Sequence, residues 1–505
     1  MTTELLQTVA ETNQWWALGP ELMLGGMALG LLVLEIILPK EQQRFVPQVA
    51  MMALTAALVA VVINFNTGWK GQDLFGGLIL ITGHSQIGRV FFPLTSLLVC
   101  FLGTLCLPRT RMPEVEFYHI VLVVTAAMML LVESNHFVMF FVALETVTIG
   151  FYILVSYFRD NPLTLEAGLK YLVLGALSSA IMLFGIVLLY GAAGKVSLGG
   201  VGHTGFEFGV VAGFLKQNPD SFLGIAGALL VLGGVAFKIG AFPFHIWIPD
   251  VYQGAPTPVT AFLAVASKAA GFAVLLTLVQ KVFAPLEGVL VPVLALMAAA
   301  TIVAGNLSAL TQRNTKRLMG LSGVSHAGYL LMGVVASFSV EWAPGAVWFY
   351  LFTYLLASMA VFGVMAHLAG PDDAVQELED YENLARERPL LAAVLTAGVG
   401  SLAGIPPLAG FMGKLLLFIA AFQAHLYWLL VVAIGGVVVS IYYYFGWIKA
   451  AFFESWRPAL PAENPAARPA SLAPSWSSAV ILTVLALATV LLGFFPGPLT
   501  AWLGK

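Results

Sequence analysis

The sequence predicts an all-α protein that crosses a membrane about fourteen times, and three observations lead there. Of 505 residues, 60% are hydrophobic and only 10% charged, against about 25% charged in a soluble domain. So few charges cannot cover an aqueous surface. Apolar runs of the roughly 20 residues needed to span a bilayer recur from end to end, and the short alternating segments of a β-barrel are absent.

In chain order the expected spans are 17–38, 45–65, 90–107, 117–133, 136–158, 166–191, 222–247, 257–280, 289–310, 317–338, 345–369, 389–424, 427–453 and 478–497, numbered 1 to 14. Span 7 runs into Ala-Phe-Pro-Phe-His (241–245), and span 12 is too long for one straight helix and contains Gly404-Ile-Pro-Pro407, then Gly410. Proline removes a backbone donor and breaks a helix. Within a bilayer the freed groups must be met by protein or by a wet cavity, and a matched pair of interrupted spans points to a transport site. The breaks lie five spans apart. Five is odd, so a repeated five-span unit reverses direction, and spans 4–8 and 9–13 are expected to be two inverted copies.

The expected division is therefore 1–116 for spans 1–3, 117–283 for the first repeat, 284–453 for the second, and 454–505 for a loop and span 14. Segment 454–476 carries Pro458, Pro461, Pro465, Pro469 and Pro474 and reads as an irregular loop. Segment 371–388, rich in Asp and Glu, reads as a partly helical surface element. With the N-terminus outside, thirteen Lys and Arg fall on inner segments, among them Arg313, Lys316 and Arg317. Six, among them Arg89, fall on outer ones. This bias places both termini on the periplasmic side.

Several functions are excluded. A net charge of −3 gives no field for nucleic acid. Cys100 and Cys106 share one apolar run without a metal-ligand or redox spacing, and read as small core residues. No glycine-rich phosphate loop follows a strand. No basic segment precedes the first apolar run, so no cleavable signal is expected.

The chemistry lies in charges inside spans. Lys170, Lys238, Lys268 and Lys414 are embedded, and Glu145 sits near the middle of span 5. An ionised side chain at mid-bilayer costs about 2.5–3.5 kcal/mol even on the mildest scale. Burial favours the neutral form of Lys and Glu, whereas pairing favours the charged forms. A lysine whose partner moves away can therefore release its proton. Lys170, near the end of span 6, is placed either to snorkel or to act. Glu133, ending span 4, is either a rim carboxylate or a relay. His245, at the first break, and His326 are either packed core residues or proton relays. The 250–258 stretch reads as a rigid inner loop.

The run Phe-Lys-Ile-Gly-Ala-Phe-Pro-Phe-His-Ile-Trp-Ile-Pro-Asp-Val-Tyr-Gln-Gly-Ala-Pro-Thr-Pro (237–258) resembles the signature of the antiporter-like membrane subunits of respiratory complex I, the NADH:quinone oxidoreductase. Its Val-Tyr-Gln-Gly form is most similar to the N-type subunits and to their relative in the photosynthetic complex. Glu-Ala-Gly-Leu-Lys-Tyr (166–171), Asn-Thr-Lys-Arg-Leu-Met (314–319), Ser-His-Ala-Gly-Tyr (325–329), Glu-Asp-Tyr-Glu-Asn-Leu (379–384) and Gly-Ile-Pro-Pro-Leu-Ala-Gly-Phe-Met-Gly-Lys (404–414) agree. The likeness covers spans 4 to 13 well and the ends loosely. Lysine at 414, where the M-type sister has Glu, supports the N type. Thr-Val-Thr-Ile-Gly after Glu145 departs from the Leu and Pro or Ala often found there in relatives.

The resemblance implies roles. Glu145 couples to Lys238, Lys268 connects the halves, Lys414 serves the exit side, and Lys170 tunes the first half. It implies a proton-translocating subunit with no redox centre of its own. NAD, FMN, iron–sulfur clusters and quinone belong elsewhere in the complex. Subunits M, J and K and the lipid of a bacterial inner membrane are the expected partners. Two rivals share the charges: a subunit of a multisubunit sodium/proton antiporter, and a scaffold whose charges pair only for assembly. Four buried lysines against one buried glutamate fit the scaffold poorly.

Overall fold

The computed structural model describes residues 10–37, 39–65, 71–109, 114–198, 201–370, 373, 375–453 and 474–504. Most of the proline-rich segment, 454–473, lies outside the described residues. Among the described residues, thirteen helices are long and apolar enough to cross a membrane. They are Trp15–Ile37 (span 1), Gln43–Asn64 (2), Gly83–Arg109 (3), Glu114–Val132 (4), Phe137–Val155 (5), Pro162–Ala193 (6), Phe222–Ile239 (7), Thr257–Val282 (8), Ala284–Ala309 (9), Thr315–Ala336 (10), Ala343–Leu368 (11), Tyr427–Phe452 (13) and Trp476–Phe494 (14). Span 12 is two half-helices, Pro389–Ala403 and Ala409–Gln423.

The fourteen-span reading is borne out, with two refinements. Span 3 begins at Gly83 rather than 90. Span 7 ends at Ile239 rather than 247. A turn then leads into the short helix Ile248–Gly254. Both broken helices end alike, on a glycine in the left-handed region: Gly240 (φ +73) and Gly404 (φ +83). Without a Cβ, glycine adopts that conformation at little cost and satisfies the last carbonyls. Each is followed by a cis X-Pro bond, Phe242–Pro243 and Pro406–Pro407.

Neighbour relations recur five spans apart. Span 4 packs on 5, 5 on 6, 6 on 7 and 7 on 8; span 9 packs on 10, 10 on 11, 11 on 12 and 12 on 13. Small residues make the closest seams. A Cβ on Gly185 would stand 2.7 Å from the Gly227 carbonyl, and one on Gly328 2.8 Å from the Ile302 nitrogen. Close backbone approach of this kind replaces the hydrophobic drive that lipid removes. Spans 8, 10 and 11 form the centre, and the middle of span 10 is wholly buried. Spans 1, 13 and 14 turn most of their surface outward.

Two short hairpins, Asp73–Leu74 with Ile79–Leu80 and Lys195–Leu198 with Val201–Thr204, lie on the loops after spans 2 and 6. Bridges Ile79–Ser134 and His136–Glu207 tie them to the loop after span 4. These loops share one face, as alternation through a membrane requires. On the other face, the bridge Asn314–Glu377 joins the loops after spans 9 and 11. The acidic segment carries the short turns Leu378–Tyr381 and Leu384–Glu387.

Candidate functional site

The embedded charges fall into two groups. In the first repeat, Glu145 on span 5 accepts from Ser179 Oγ on span 6 at 2.6 Å. One turn further along span 5, Thr148 Oγ1 accepts from Lys238 Nζ at 2.8 Å. Glu145 and Lys238 thus face the same neighbourhood, each held by a hydroxyl instead of by each other. Span 7 meets span 8 where Ile239, beside Lys238, packs on Gly271, one turn beyond Lys268.

Lys268 follows a wider π turn, Leu263–Ser267, a departure from α geometry found frequently at functional sites. Its ammonium donates to the Gly323 carbonyl of span 10 at 2.6 Å and lies 4.9 Å from the centre of the Tyr354 ring. His326 is next. Its Nδ1 is 2.6 Å from the Tyr350 hydroxyl, its Nε2 3.0 Å from that of Tyr444, and its ring 5.1 Å from the Tyr354 ring. A cavity of about 10 Å³ lies between His326, Tyr350, Tyr354, Ser401 and Leu402, about enough for one water. Beyond it, Lys414 Nζ donates to the carbonyls of Leu402 and Ala403 at 2.9 and 3.0 Å. It therefore caps the first half of span 12, where the helix dipole favours a cation.

Lys268, His326 and Lys414 thus form one buried run, with Glu145 and Lys238 beside it. The other expected residues stand apart. Lys170 is 41% exposed at its side chain and pairs with Glu166 and Asp250, both at 2.6 Å, while Arg317 holds the other Asp250 oxygen at 2.7 Å. Burial raises the Asp250 carboxyl, but these cationic hydrogen bonds outweigh it and hold it below the usual range. His245 is half-buried at the first break, and its Nδ1 is enclosed without a partner. Glu133 is fully buried beside Arg89.

Two cations read from sequence as loop residues are buried. Arg89 lies within span 3, because Thr82 caps the helix upstream of it and forms a capping box with Ser85. Lys316 lies in the first turn of span 10, capped by Asn314, and pairs with Asp373 at 2.5 Å. Asp373 also accepts from the Thr257 backbone and hydroxyl at the start of span 8. A cavity of about 300 Å³ with Asn161, Gln253, Asn314 and Gln376 in its wall reaches this pair. The capping residues Thr82 and Asn314 were the signals available in the sequence. The Thr-Val-Thr-Ile-Gly departure after Glu145 contained Thr148 but did not show it as a partner of Lys238, and nothing marked Ser179, Tyr350 or Tyr444. Among the described residues, no three His, Cys, Asp or Glu side chains gather to hold a metal ion. Both cysteines are buried and free.

Residues 134–440 match the family described as NADH:quinone oxidoreductase/Mrp antiporter, TM. Over 504 residues the chain is 59% identical to the NADH-quinone oxidoreductase subunit N 1 of Opitutus terrae, covering 100% of this chain and 99% of that one. The chain belongs to the NADH-quinone oxidoreductase subunit N family. The subunit N of Moorella thermoacetica is 36% identical, covering 95% of each chain. Among solved structures, a chain of respiratory complex I from Thermus thermophilus with bound aureothin superposes with a TM-score of 0.77 at 33% identity, over 95% of this chain and 98% of that one. A chain of the Mrp complex from Dietzia superposes at 0.78 with 20% identity, over 96% of each, a likeness of fold. Both broken spans and the whole run from Glu145 to Lys414 lie within residues 134–440, the stretch that matches the NADH:quinone oxidoreductase/Mrp antiporter family.

Proposed function

We propose that this chain is a proton-translocating membrane subunit of an NADH:quinone oxidoreductase, working through Glu145, Lys238, Lys268, His326 and Lys414. One observation carries the reading. Lys238, Lys268 and Lys414 are met by neutral acceptors: a threonine hydroxyl, a glycine carbonyl and two helix-end carbonyls. Cations built only to hold the fold together are paired here with carboxylates, as Lys316 is with Asp373 and Arg89 with Glu21. A lysine on neutral acceptors can lose its proton without leaving an orphaned buried anion. A lysine paired to a carboxylate cannot, and breaking such a pair costs about 3–5 kcal/mol. The arrangement suits proton carriage and disfavours the scaffold reading.

In this reading, NADH oxidation and quinone reduction occur on other chains, which hold the NAD, FMN, iron–sulfur clusters and quinone. A displacement of charge reaching the first repeat (117–283) draws Glu145 toward or away from Lys238. The Lys238 proton passes to Lys268, then through the Tyr354 and His326 region to Lys414 in the second repeat (284–453), and leaves beyond it. The 300 Å³ polar cavity at the Lys316–Asp373 pair gives water a way toward the centre from the Lys- and Arg-rich face. Lys170 tunes the first half through Asp250. Subunits M, J and K are the proposed neighbours. A bacterial inner membrane is the proposed site, with both termini periplasmic, as the Lys and Arg bias supports.

The test is Lys238→Ala in native membranes, measuring complex assembly, NADH:quinone turnover and proton translocation together. The expected result is normal assembly with turnover and pumping falling steeply together. Normal assembly with normal pumping would remove Lys238 from the path.

A further inference from the structure

A second buried ionisable cluster takes no part in the pathway above. Arg89 of span 3 is fully enclosed. Its Nε and one terminal nitrogen bind the two oxygens of Glu21, on span 1, at 2.7 and 2.8 Å. The same terminal nitrogen donates to the Ala17 carbonyl at 2.8 Å, and the other reaches Gln86 Oε1 at 3.4 Å. Glu133, one residue past span 4, has Oε1 3.0 Å from Arg89 Nε. That nitrogen carries a single hydrogen, already directed at Glu21. Accordingly, both Glu133 carboxyl oxygens are buried without a hydrogen bond.

The charges do not balance. Two carboxylates against one guanidinium leave one net negative charge with no exposure to water, and a buried ion without partners is far costlier than a neutral acid. One proton neutralises the cluster. Glu21 holds the two-pronged contact, so the proton belongs on Glu133. Burial pushes the Glu133 carboxyl well above the ordinary range; the Arg89 charge opposes this and Glu21 reinforces it. The remaining surroundings are apolar or otherwise engaged. Leu74 and Ile79 of the first hairpin and Ile81 just after it pack with Ala17 and Leu18. Asp73 meets Asn135. His136 accepts from the Val138 N–H, with Glu207 acting on it. His84 lies in the first turn of span 3.

We propose that Glu133 is a proton-binding site, holding one resident proton at neutral pH in a neutral Arg89–Glu21–Glu133 cluster that ties spans 1 and 3 to the junction of spans 4 and 5. Glutamine copies the protonated acid in shape and charge. A carboxyl raised in the folded state contributes stability that is complete below the ordinary glutamate pKa, about 4.3. That stability is lost progressively as pH rises toward its folded value.

The experiment compares the thermal dissociation midpoint of the purified complex, against pH, for wild type, Glu133→Gln, Glu21→Gln and the double variant. Glu133→Gln should assemble normally and lack part of the wild-type decline with rising pH. The difference corresponds to one proton, about a tenfold change in the folded-to-unfolded ratio per pH unit. Glu21→Gln should also assemble, because Glu133 then ionises and takes Arg89. The double variant orphans Arg89 and should fail to assemble. Failure of Glu133→Gln to assemble, or pH slopes identical to wild type, would overturn the proposal. Neither readout depends on pumping, so its failure is distinct from failure of the proton path.

Discussion

Replacing Gly323 with alanine tests the central lysine without touching it. Gly323 lies inside span 10, and a Cβ there would stand 2.8 Å from Lys268 Nζ and 3.2 Å from the Tyr354 hydroxyl. Something must move, and the mobile partner is the end of the lysine chain. Span 10 itself is not weakened, since alanine is favoured over glycine in a helix by about 1 kcal/mol. What is lost is the 2.6 Å hydrogen bond from Lys268 to the Gly323 carbonyl. A bond to a charged group contributes about 1.5–3 kcal/mol, so the resting position of the Lys268 ammonium is disfavoured by roughly ten- to over a hundredfold. In inverted membrane vesicles, NADH-driven acidification followed with a pH-sensitive dye should fall about tenfold or more, with the amount of assembled complex on native gels unchanged. Full pumping by a normally assembled Gly323→Ala complex would refute the assignment of this carbonyl as the resting acceptor of Lys268.

Other expectations follow from the same contacts. A Cβ on Gly410 would run into the Ser401 carbonyl across the break in span 12. Backbone cannot yield as a side chain can, so Gly410→Ala should cost about 1–3 kcal/mol or more and lower the yield of assembled complex. Lys316→Ala leaves Asp373 buried and unpaired, for about 3–5 kcal/mol. The double variant Lys316→Met with Asp373→Asn should recover a clear part of the assembly lost by the single one, as native gels would report. Tyr350→Phe removes the 2.6 Å partner of His326 Nδ1. It should cost about 1 kcal/mol in stability and slow proton translocation more than it alters assembly, read from the pumping rate per assembled complex.

The membrane class, the fourteen spans, the two breaks and three of the embedded lysines were legible in the chain itself. Hydropathy and helix breaking are local properties, set by runs of neighbouring residues and by where proline and glycine fall. Lys238, Lys268 and Lys414 stood out for the same reason: a charge inside a long apolar run needs no partner to be conspicuous. Which charges pair was decided only by the folded chain. Arg89 and Lys316 looked like loop cations, yet Glu21 and Asp373 close over them from distant segments. Lys170 looked embedded, yet it stands part-exposed between Glu166 and Asp250. The roles of Thr148, Ser179 and the tyrosines around His326 were not legible, because hydroxyls in an apolar run are ordinary and do not show which charge they meet. Ion pairs and hydrogen bonds depend on distance and direction over a few ångströms. Those distances join spans 1 with 3, 8 with 10 and 10 with the loop after 11, and only the packing of the helices sets them.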